Sequence, residues 1–261
     1  LQIFLHRYRD GRIAPSNVTV KSRAAEDALR AVGQKFASVG AIDPRKDAHG
    51  KIDFRITRQL KHYKKTDAPP VRVKPVPIAL VVCILRVAHV LAPSDSAKVI
   101  ADMITVAFCF LLRPGECAGT SADDHPFLIQ DVTLHLGNRQ LNLQTAPLHD
   151  MCAATSASYT FTRQKNGVCN EVLMHGRANH PLCCPVRATT RLICCHRLHH
   201  TPHNKPIASC RHNNRLVMVT AKDASERIKS AATSQCPITG IKATELSARS
   251  LRAGGLSLIH I

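Results

Sequence analysis

The 261-residue sequence contains no tryptophan, and only 4% of its residues are aromatic. Surfaces that bind single-stranded nucleic acid stack the bases on aromatic rings, so this scarcity argues against such a surface. Acidic residues are also few, because 18 Asp and Glu stand against 36 Lys and Arg and leave a net charge of +18. This excess of positive charge predicts a polyanionic partner, with nucleic acid as the first choice and an anionic membrane surface as the alternative. A duplex gripped by its phosphates fits the scarcity of aromatic residues best.

Long apolar runs are missing as well. The longest candidate, residues 78–92, is interrupted by Arg86 and His89 and is shorter than the roughly 18 residues of a membrane span, so we expect a core helix and no membrane partner. We expect no secretory signal peptide, and the start at Leu1 leads us to expect a fragment whose true start lies upstream. The 11 cysteines are an odd number in scattered positions, which predicts reduced intracellular thiols.

A proline-rich stretch divides the chain into two predicted domains. Four prolines fall within residues 69–77 and enforce an extended path, so we predict a linker there. The first predicted domain covers residues 1–68, with helices over 20–39 and 52–65. The second covers residues 78–255.

Basic residues recur at helical spacing within 52–65 and continue into the linker. Acidic residues that would balance such a face at i+4 are scarce, which favours contact with phosphates over a plain solvated face. The predicted DNA-binding residues are Arg55, Arg58, Lys61, Lys65, Arg72 and Lys74.

The second domain mixes helical and alternating patterns. Two helices are predicted over 78–91 and 185–199. A third runs from a cap at Ser94 or Asp95 toward Arg113, a fourth follows a capping box formed by Thr220 and Asp223, and a fifth begins at about Ser247. Alternation around Gly137 and around Gly167 predicts two hairpins, over 129–143 and 159–174, and residues 201–215 are predicted as a polar loop. The expected fold class is therefore α+β, mainly helical, with a small antiparallel sheet.

Three cations far apart in sequence each lie at the end of a predicted element. Arg113 follows the apolar run 103–112, Lys165 lies at a hairpin tip, and Arg252 opens the last helix. Glu116 is placed to hold the Arg113 guanidinium in a bidentate pair, which would present a fixed fork to a phosphate.

The motifs that carry these cations, LLRPGEC, TRQKNG and SLRAGG, occur in an order that resembles the tyrosine recombinases, the phage-integrase-like enzymes that break and rejoin DNA. The stretches CPVRATTRL, DALRAVGQ and RQLKHYKK resemble the version found in eukaryotic mobile elements of the Crypton or DIRS type. The resemblance implies a helical core-binding domain before a catalytic domain, and site-specific DNA recombination or integration through a phosphotyrosine intermediate. It also implies two or more protomers on DNA, no metal or other cofactor, no small-molecule substrate, and a nuclear location for a eukaryotic mobile element or otherwise a cytoplasmic one.

By this resemblance Arg113 and Arg252 clamp the phosphoryl oxygens, and Lys165 protonates the leaving oxygen. Arg249 is assigned to the same catalytic set, although the family pattern has a histidine three residues before the second arginine. Arginine donates to phosphate but does not act as a base near neutral pH, so proton transfer by that histidine has no equivalent here.

The family's nucleophilic tyrosine, normally downstream of the second arginine motif, is missing. The three tyrosines, Tyr8, Tyr63 and Tyr159, all precede Arg252. We therefore expect the chain to bind duplex DNA without forming the covalent link, as the inactive part of an enzyme truncated at its C-terminal end. Residues 256–261 read LSLIHI, one translation frame of a transposon mosaic-end sequence used in library preparation, and we expect this tail to derive from an adaptor.

Two alternative functions remain open at this point. One is a non-catalytic DNA-binding protein derived from a recombinase. The other is a zinc-dependent nucleic-acid module that uses the cysteine pairs 183–184 and 194–195 with His196, His199, His200 and His203. The spacing of these residues matches no standard zinc finger.

Overall fold

The computed structural model describes residues 1–69, 73–91, 94–119, 125–162, 169–212 and 215–259. Over these residues the chain forms two compact units, Leu1–Val71 and Arg72–Ile261. Both units are mainly helical, and the strands of the described residues belong to the second unit, where they pair antiparallel. The chain therefore has the mixed α+β class that the sequence predicts.

The first unit contains three helices, α1 (Gln2–Arg9), α2 (Ser22–Ser38) and α3 (Phe54–Thr66). Both helices predicted from the sequence in this unit are present, as α2 and α3, with ends within two residues of the expected ones. The small core of the unit consists of Leu5, Ala25, Leu29, Ile56 and Tyr63. The Asp67 carboxylate accepts a hydrogen bond from the Ser22 amide at 2.8 Å, so the residue that ends α3 also caps the start of α2.

The second unit contains most of the helices. They are α4 (Ile78–Arg86), α5 (Asp95–Cys109), α6 (Pro114–Cys117), α7 (Leu148–Cys152), α8 (Pro185–Leu198), α9 (Ala221–Thr239) and α10 (Arg249–Ile259). The helix predicted over 78–91 is α-helical only to Arg86, and Val87–Leu91 continue it as a π-helix. None of the helices in the described part of the chain has the length and apolar character needed to cross a membrane.

The strands form two antiparallel sheets. β1 (Val132–Leu136), β2 (Arg139–Gln140), β3 (Ser156–Phe161) and β4 (Glu171–Gly176) form a sheet in the order β2-β1-β3-β4, and β5 (Ser209–His212) pairs with β6 (Arg215–Met218). Both predicted hairpins are therefore present, as β1–β2 and β3–β4. The polar loop predicted over 201–215 is wrong, because β5 lies within it. Ser209 and Cys210 are both buried there, so the strand lacks the polar-apolar alternation by which a strand is recognised.

Helix α5 is the central element of the second unit. It packs against α4, α8, α9, α10 and β5, which explains why ten of its residues are buried. The Ser94 side chain caps its start by accepting a hydrogen bond from the Ala97 amide at 3.3 Å, as predicted. One of the buried residues is Asp102, which pairs with the Arg191 guanidinium on α8 through Nε and Nη2 and lies 3.1 Å from His89 Nε2. This ion pair joins α5 to α8 in the interior.

The end of α5 is anchored on the sheet. The Phe110 ring lies 4.6 Å from the Tyr159 ring on β3 and 4.5 Å from the His175 ring on β4. The helix ends at Cys109, three residues before the end of the apolar run, because Leu111 adopts a left-handed backbone with φ of 56°. The segment that leads to Arg113 is thus fixed by aromatic packing at one end and a sharp change of direction at the other.

Candidate phosphate site

Arg113 occupies the N-terminal cap of α6, directly after the buried Leu112. The Glu116 carboxylate accepts hydrogen bonds from the Arg113 backbone amide at 2.7 Å and from Arg113 Nη1 at 2.9 Å. The sequence predicts a bidentate pair with the guanidinium, but one carboxylate oxygen instead binds the backbone. This arrangement leaves Nε and Nη2 of Arg113 without a partner among the described residues, and the side chain is 39% exposed. A guanidinium held by one edge keeps its other donors available for an anion.

Arg252 lies on α10, which packs directly on the end of α5. A Cβ atom added at Gly255 would come closer than 3.0 Å to the Phe108 carbonyl oxygen and to Leu111 Cδ2, so only glycine fits at this contact. Gly254 meets the Val76 carbonyl oxygen in the same way. Residues three apart share a helix face, so Arg252 lies on the side of α10 that carries Gly255, the residue that meets the segment leading to Arg113.

The charge of Arg252 is uncompensated within the described residues. Its side chain is half-buried, and neither a hydrogen bond nor an ion pair joins it to another described residue. Arg249, one turn earlier on the same helix, is exposed. The two arginines and the free edge of Arg113 supply donors suited to the oxygens of a phosphate.

The start of α10 is held by the extended segment 73–77. The Val76 amide donates to the Ser250 carbonyl at 3.1 Å, and the Lys74 amide donates to the Glu245 carbonyl at 2.8 Å. Lys74 Nζ also lies 2.9 Å from the Glu245 carboxylate, and this contact lowers the pKa of that carboxyl. Lys74, a predicted DNA contact, thus has its charge paired inside the second unit.

Two predicted residues, Lys165 and Arg72, lie outside the described residues. The strands that flank Lys165, β3 and β4, pair antiparallel with Tyr159 opposite Leu173 and Phe161 opposite Glu171. These two strands contact Phe110, at the end of the helix before Arg113.

The basic residues of α3 lie on its exposed face in the first unit. Arg55, Arg58, Lys61 and Lys65 are all exposed, whereas Ile56 and Tyr63, on the opposite face, are buried. Arg55 pairs with Asp53 at 3.0 Å, and its hydrogen bonds lower the pKa of that carboxyl. The other three have no ion-pair partner in the described part of the chain. They form a basic stripe, defined here as Arg58, Lys61 and Lys65.

The described tyrosines do not offer an exposed nucleophile. Tyr159 is fully buried in β3, its hydroxyl lies 3.1 Å from Thr189 Oγ1, and burial raises its pKa well above the ordinary value. Tyr63 is a core residue of the first unit, with its hydroxyl accepting from Gln59 Nε2 at 2.7 Å. A buried phenol with a raised pKa is a poor nucleophile.

Sequence reasoning missed the pair formed by Asp102 and Arg191. The available signal was an acidic residue inside an otherwise apolar helix, because a buried carboxylate requires a partner. It also missed a group of arginines beside α8, since nothing in their spacing shows that the fold brings Arg177 to Arg187.

The arrangement described above is suited to binding anions. Within the described residues, no group of three or more His, Cys, Asp and Glu side chains is placed to hold a metal ion. These residues therefore offer no set of ligands for the zinc site that the alternative function requires. Guanidinium groups supply the charge that can stabilise a phosphoryl group. No known protein family model, no curated protein and no solved structure matches this chain.

Proposed function

We propose that this chain is the DNA-binding and phosphate-clamping part of a tyrosine recombinase, acting in site-specific recombination or integration of a mobile element of the Crypton or DIRS type. Its first unit acts as the helical core-binding domain and its second as the catalytic domain. Its partner is duplex DNA, on which two or more protomers assemble, and it acts in the nucleus if the element is eukaryotic.

The observation that carries this proposal is the glycine contact between α10 and the end of α5. It brings together two motifs, LLRPGEC and SLRAGG, that are far apart in sequence, and each supplies an arginine whose guanidinium has donors to spare. The proposed reaction accounts for that pairing. A tyrosine oxygen bonds to phosphorus, the bond from phosphorus to the 5′ oxygen breaks, and Lys165 gives a proton to that leaving oxygen. Arg113 and Arg252 stabilise the charge that builds on the phosphoryl oxygens.

The chain alone should bind DNA without becoming attached to it. We expect no complex that survives SDS when the protein is incubated with a nicked suicide duplex, because Tyr159 is buried and no tyrosine follows Arg252. The same preparation should bind the duplex in a gel shift that weakens steeply with salt.

Two controls make this test decisive. A covalent adduct that is lost in Tyr159→Phe would show that the buried tyrosine acts as a nucleophile and would overturn the proposed inactivity. A failure to bind duplex DNA at low salt, in protein that is folded by circular dichroism, would overturn the proposed DNA partner.

A second candidate is a non-catalytic DNA-binding protein descended from a recombinase. Arg249 favours it, because this exposed arginine stands where the family pattern has a histidine. The natural coding sequence downstream of Gly255 separates the two candidates. A tyrosine a few tens of residues after Arg252 supports the enzyme, and its absence supports the non-catalytic protein.

A further inference from the structure

A cavity of about 250 Å³ opens beside the first half of α8 in the second unit. We call it the arginine pocket, because three of the seven described residues that line it are arginines and none of those seven is acidic. The lining residues are Cys152, Arg177, Pro181, Val186, Arg187, Thr190 and Arg191. Neither Arg113 nor Arg252 contributes to it.

Within the part of the chain that the structure describes, two of the three arginines are held by neutral groups alone. Arg177 Nη1 donates to the carbonyl oxygens of Cys152 at 2.8 Å and Ala154 at 3.1 Å. Arg187 Nη1 donates to the Pro181 carbonyl oxygen at 3.2 Å. A carbonyl orients a guanidinium but does not neutralise it, so both keep their full charge at the cavity.

Arg187 also carries an unsatisfied donor. Its Nε is buried and has no hydrogen-bond partner among the described residues. Leaving a buried charged donor unpaired is costly, and native proteins satisfy nearly all such groups. Arg187 therefore brings to the lining a charged group with one donor that no described residue satisfies.

Arg191 helps to form the wall of the arginine pocket but adds little net charge to it. Asp102 accepts from its Nε at 2.9 Å and from its Nη2 at 2.5 Å, which neutralises it and fixes the plane of its guanidinium. Among the described residues, three guanidinium groups and one carboxylate leave two positive charges uncompensated around the cavity. Nη1 of Arg191 has no partner within the described residues and adds a donor to the lining.

We propose that the arginine pocket binds a phosphate group. Phosphate carries one or two negative charges near neutral pH, which balances the two uncompensated guanidinium groups, and its oxygens match the forked donors of arginine. Helix α8 begins at Pro185, two residues before Arg187, so the positive end of its dipole adds to the field at the cavity. The phosphate belongs either to the backbone of bound DNA or to a free phosphorylated small molecule.

Cys152 gives this proposal a direct readout, because its thiol is exposed and lines the pocket. We expect inorganic phosphate to slow alkylation of Cys152 at least threefold relative to chloride at equal ionic strength, a factor that corresponds to about two-thirds occupancy of the pocket. Alkylation of Cys169, an exposed cysteine outside the pocket, should be unaffected. Peptide mass spectrometry follows both thiols in the same sample.

The matched variants are Arg187→Gln in the pocket and Arg215→Gln on the exposed strand β6. Arg187→Gln should raise the phosphate concentration needed to protect Cys152 about tenfold, as expected for the loss of one charge-assisted hydrogen-bonding group. Arg215→Gln should leave that concentration unchanged. Arg177→Gln, at an exposed position, serves as a second pocket variant if Arg187→Gln proves unfolded by circular dichroism. Protection that is absent, or equal in Arg187→Gln and Arg215→Gln, would overturn the proposal.

A duplex oligonucleotide identifies the source of the phosphate. If duplex DNA protects Cys152 and Arg187→Gln abolishes that protection, the pocket takes a phosphate of the DNA backbone. If inorganic phosphate protects and the duplex does not, the pocket takes a free phosphorylated molecule. The outcome does not depend on the proposed site at Arg113 and Arg252, because protection by inorganic phosphate is measured without DNA and at other residues.

Discussion

Replacing Gly255 with alanine should lower the free energy of unfolding by about 3 kcal/mol, the upper part of the range for forcing an added group into a packed site. The new methyl group would collide with the Phe108 carbonyl oxygen and with Leu111 Cδ2. The carbonyl belongs to the central helix and cannot move without disturbing α5. Gly254→Ala should have a comparable effect through the Val76 carbonyl oxygen. Chemical denaturation followed by circular dichroism measures both changes.

Gly176→Ala is the matched control, since the same methyl group would meet no atom within 4 Å there. This change should shift the unfolding free energy by well under 1 kcal/mol, as surface substitutions usually do. If Gly255→Ala were as stable as Gly176→Ala, helix α10 would not pack on the end of α5. The contact that brings the two arginine motifs together would then be wrong.

Removing the basic stripe should cost on the order of 100-fold in affinity for duplex DNA at low salt. The triple change Arg58→Gln, Lys61→Gln and Lys65→Gln deletes three exposed charges that have no acidic partner among the described residues. Each lost phosphate contact lowers the slope of log affinity against log salt by about 0.9, so the slope should fall by about 3. Fluorescence anisotropy across a salt series measures both quantities.

A control with the same change in net charge separates contact from bulk electrostatics. Arg23, Arg30 and Lys35 are exposed on α2 in the same unit, and the first two pair with Asp27. Changing these three to glutamine should weaken binding far less than changing the stripe. An equal loss in the two triple variants would show that DNA responds only to net charge and that α3 does not face it.

The sequence predicts the helices and the class of fold well, because both rest on local periodicity. Apolar spacing predicts α2, and the Ser94 cap and the Thr220–Asp223 box locate the starts of α5 and α9. Strand β5 was missed because its polar Ser209 faces the interior, so the pattern does not alternate. Local periodicity carries no information about which face of a short strand the core will cover.

The candidate site, too, could be predicted from the sequence only in part. The sequence motifs identify its cations. In the structure, however, one oxygen of the Glu116 carboxylate accepts a hydrogen bond from a backbone amide, and Lys74 forms an ion pair with an acidic residue. The close approach at Gly254 and Gly255 depends on two chain segments more than a hundred residues apart, which spacing within a motif cannot reveal. The arginine pocket was missed for the same reason.

The proposed function requires Arg113 and Arg252 to grip the same phosphate. A double-mutant cycle on duplex DNA affinity, using Arg113→Gln, Arg252→Gln and the combined variant, tests it most directly, with Arg215→Gln as the control for loss of a positive charge. Each single change should weaken binding about tenfold, and the double change should weaken it less than the product of the two by a factor of at least about 2, which is a coupling energy of at least about 0.5 kcal/mol. Losses that multiply independently, or single losses no larger than that of Arg215→Gln, would contradict the claim.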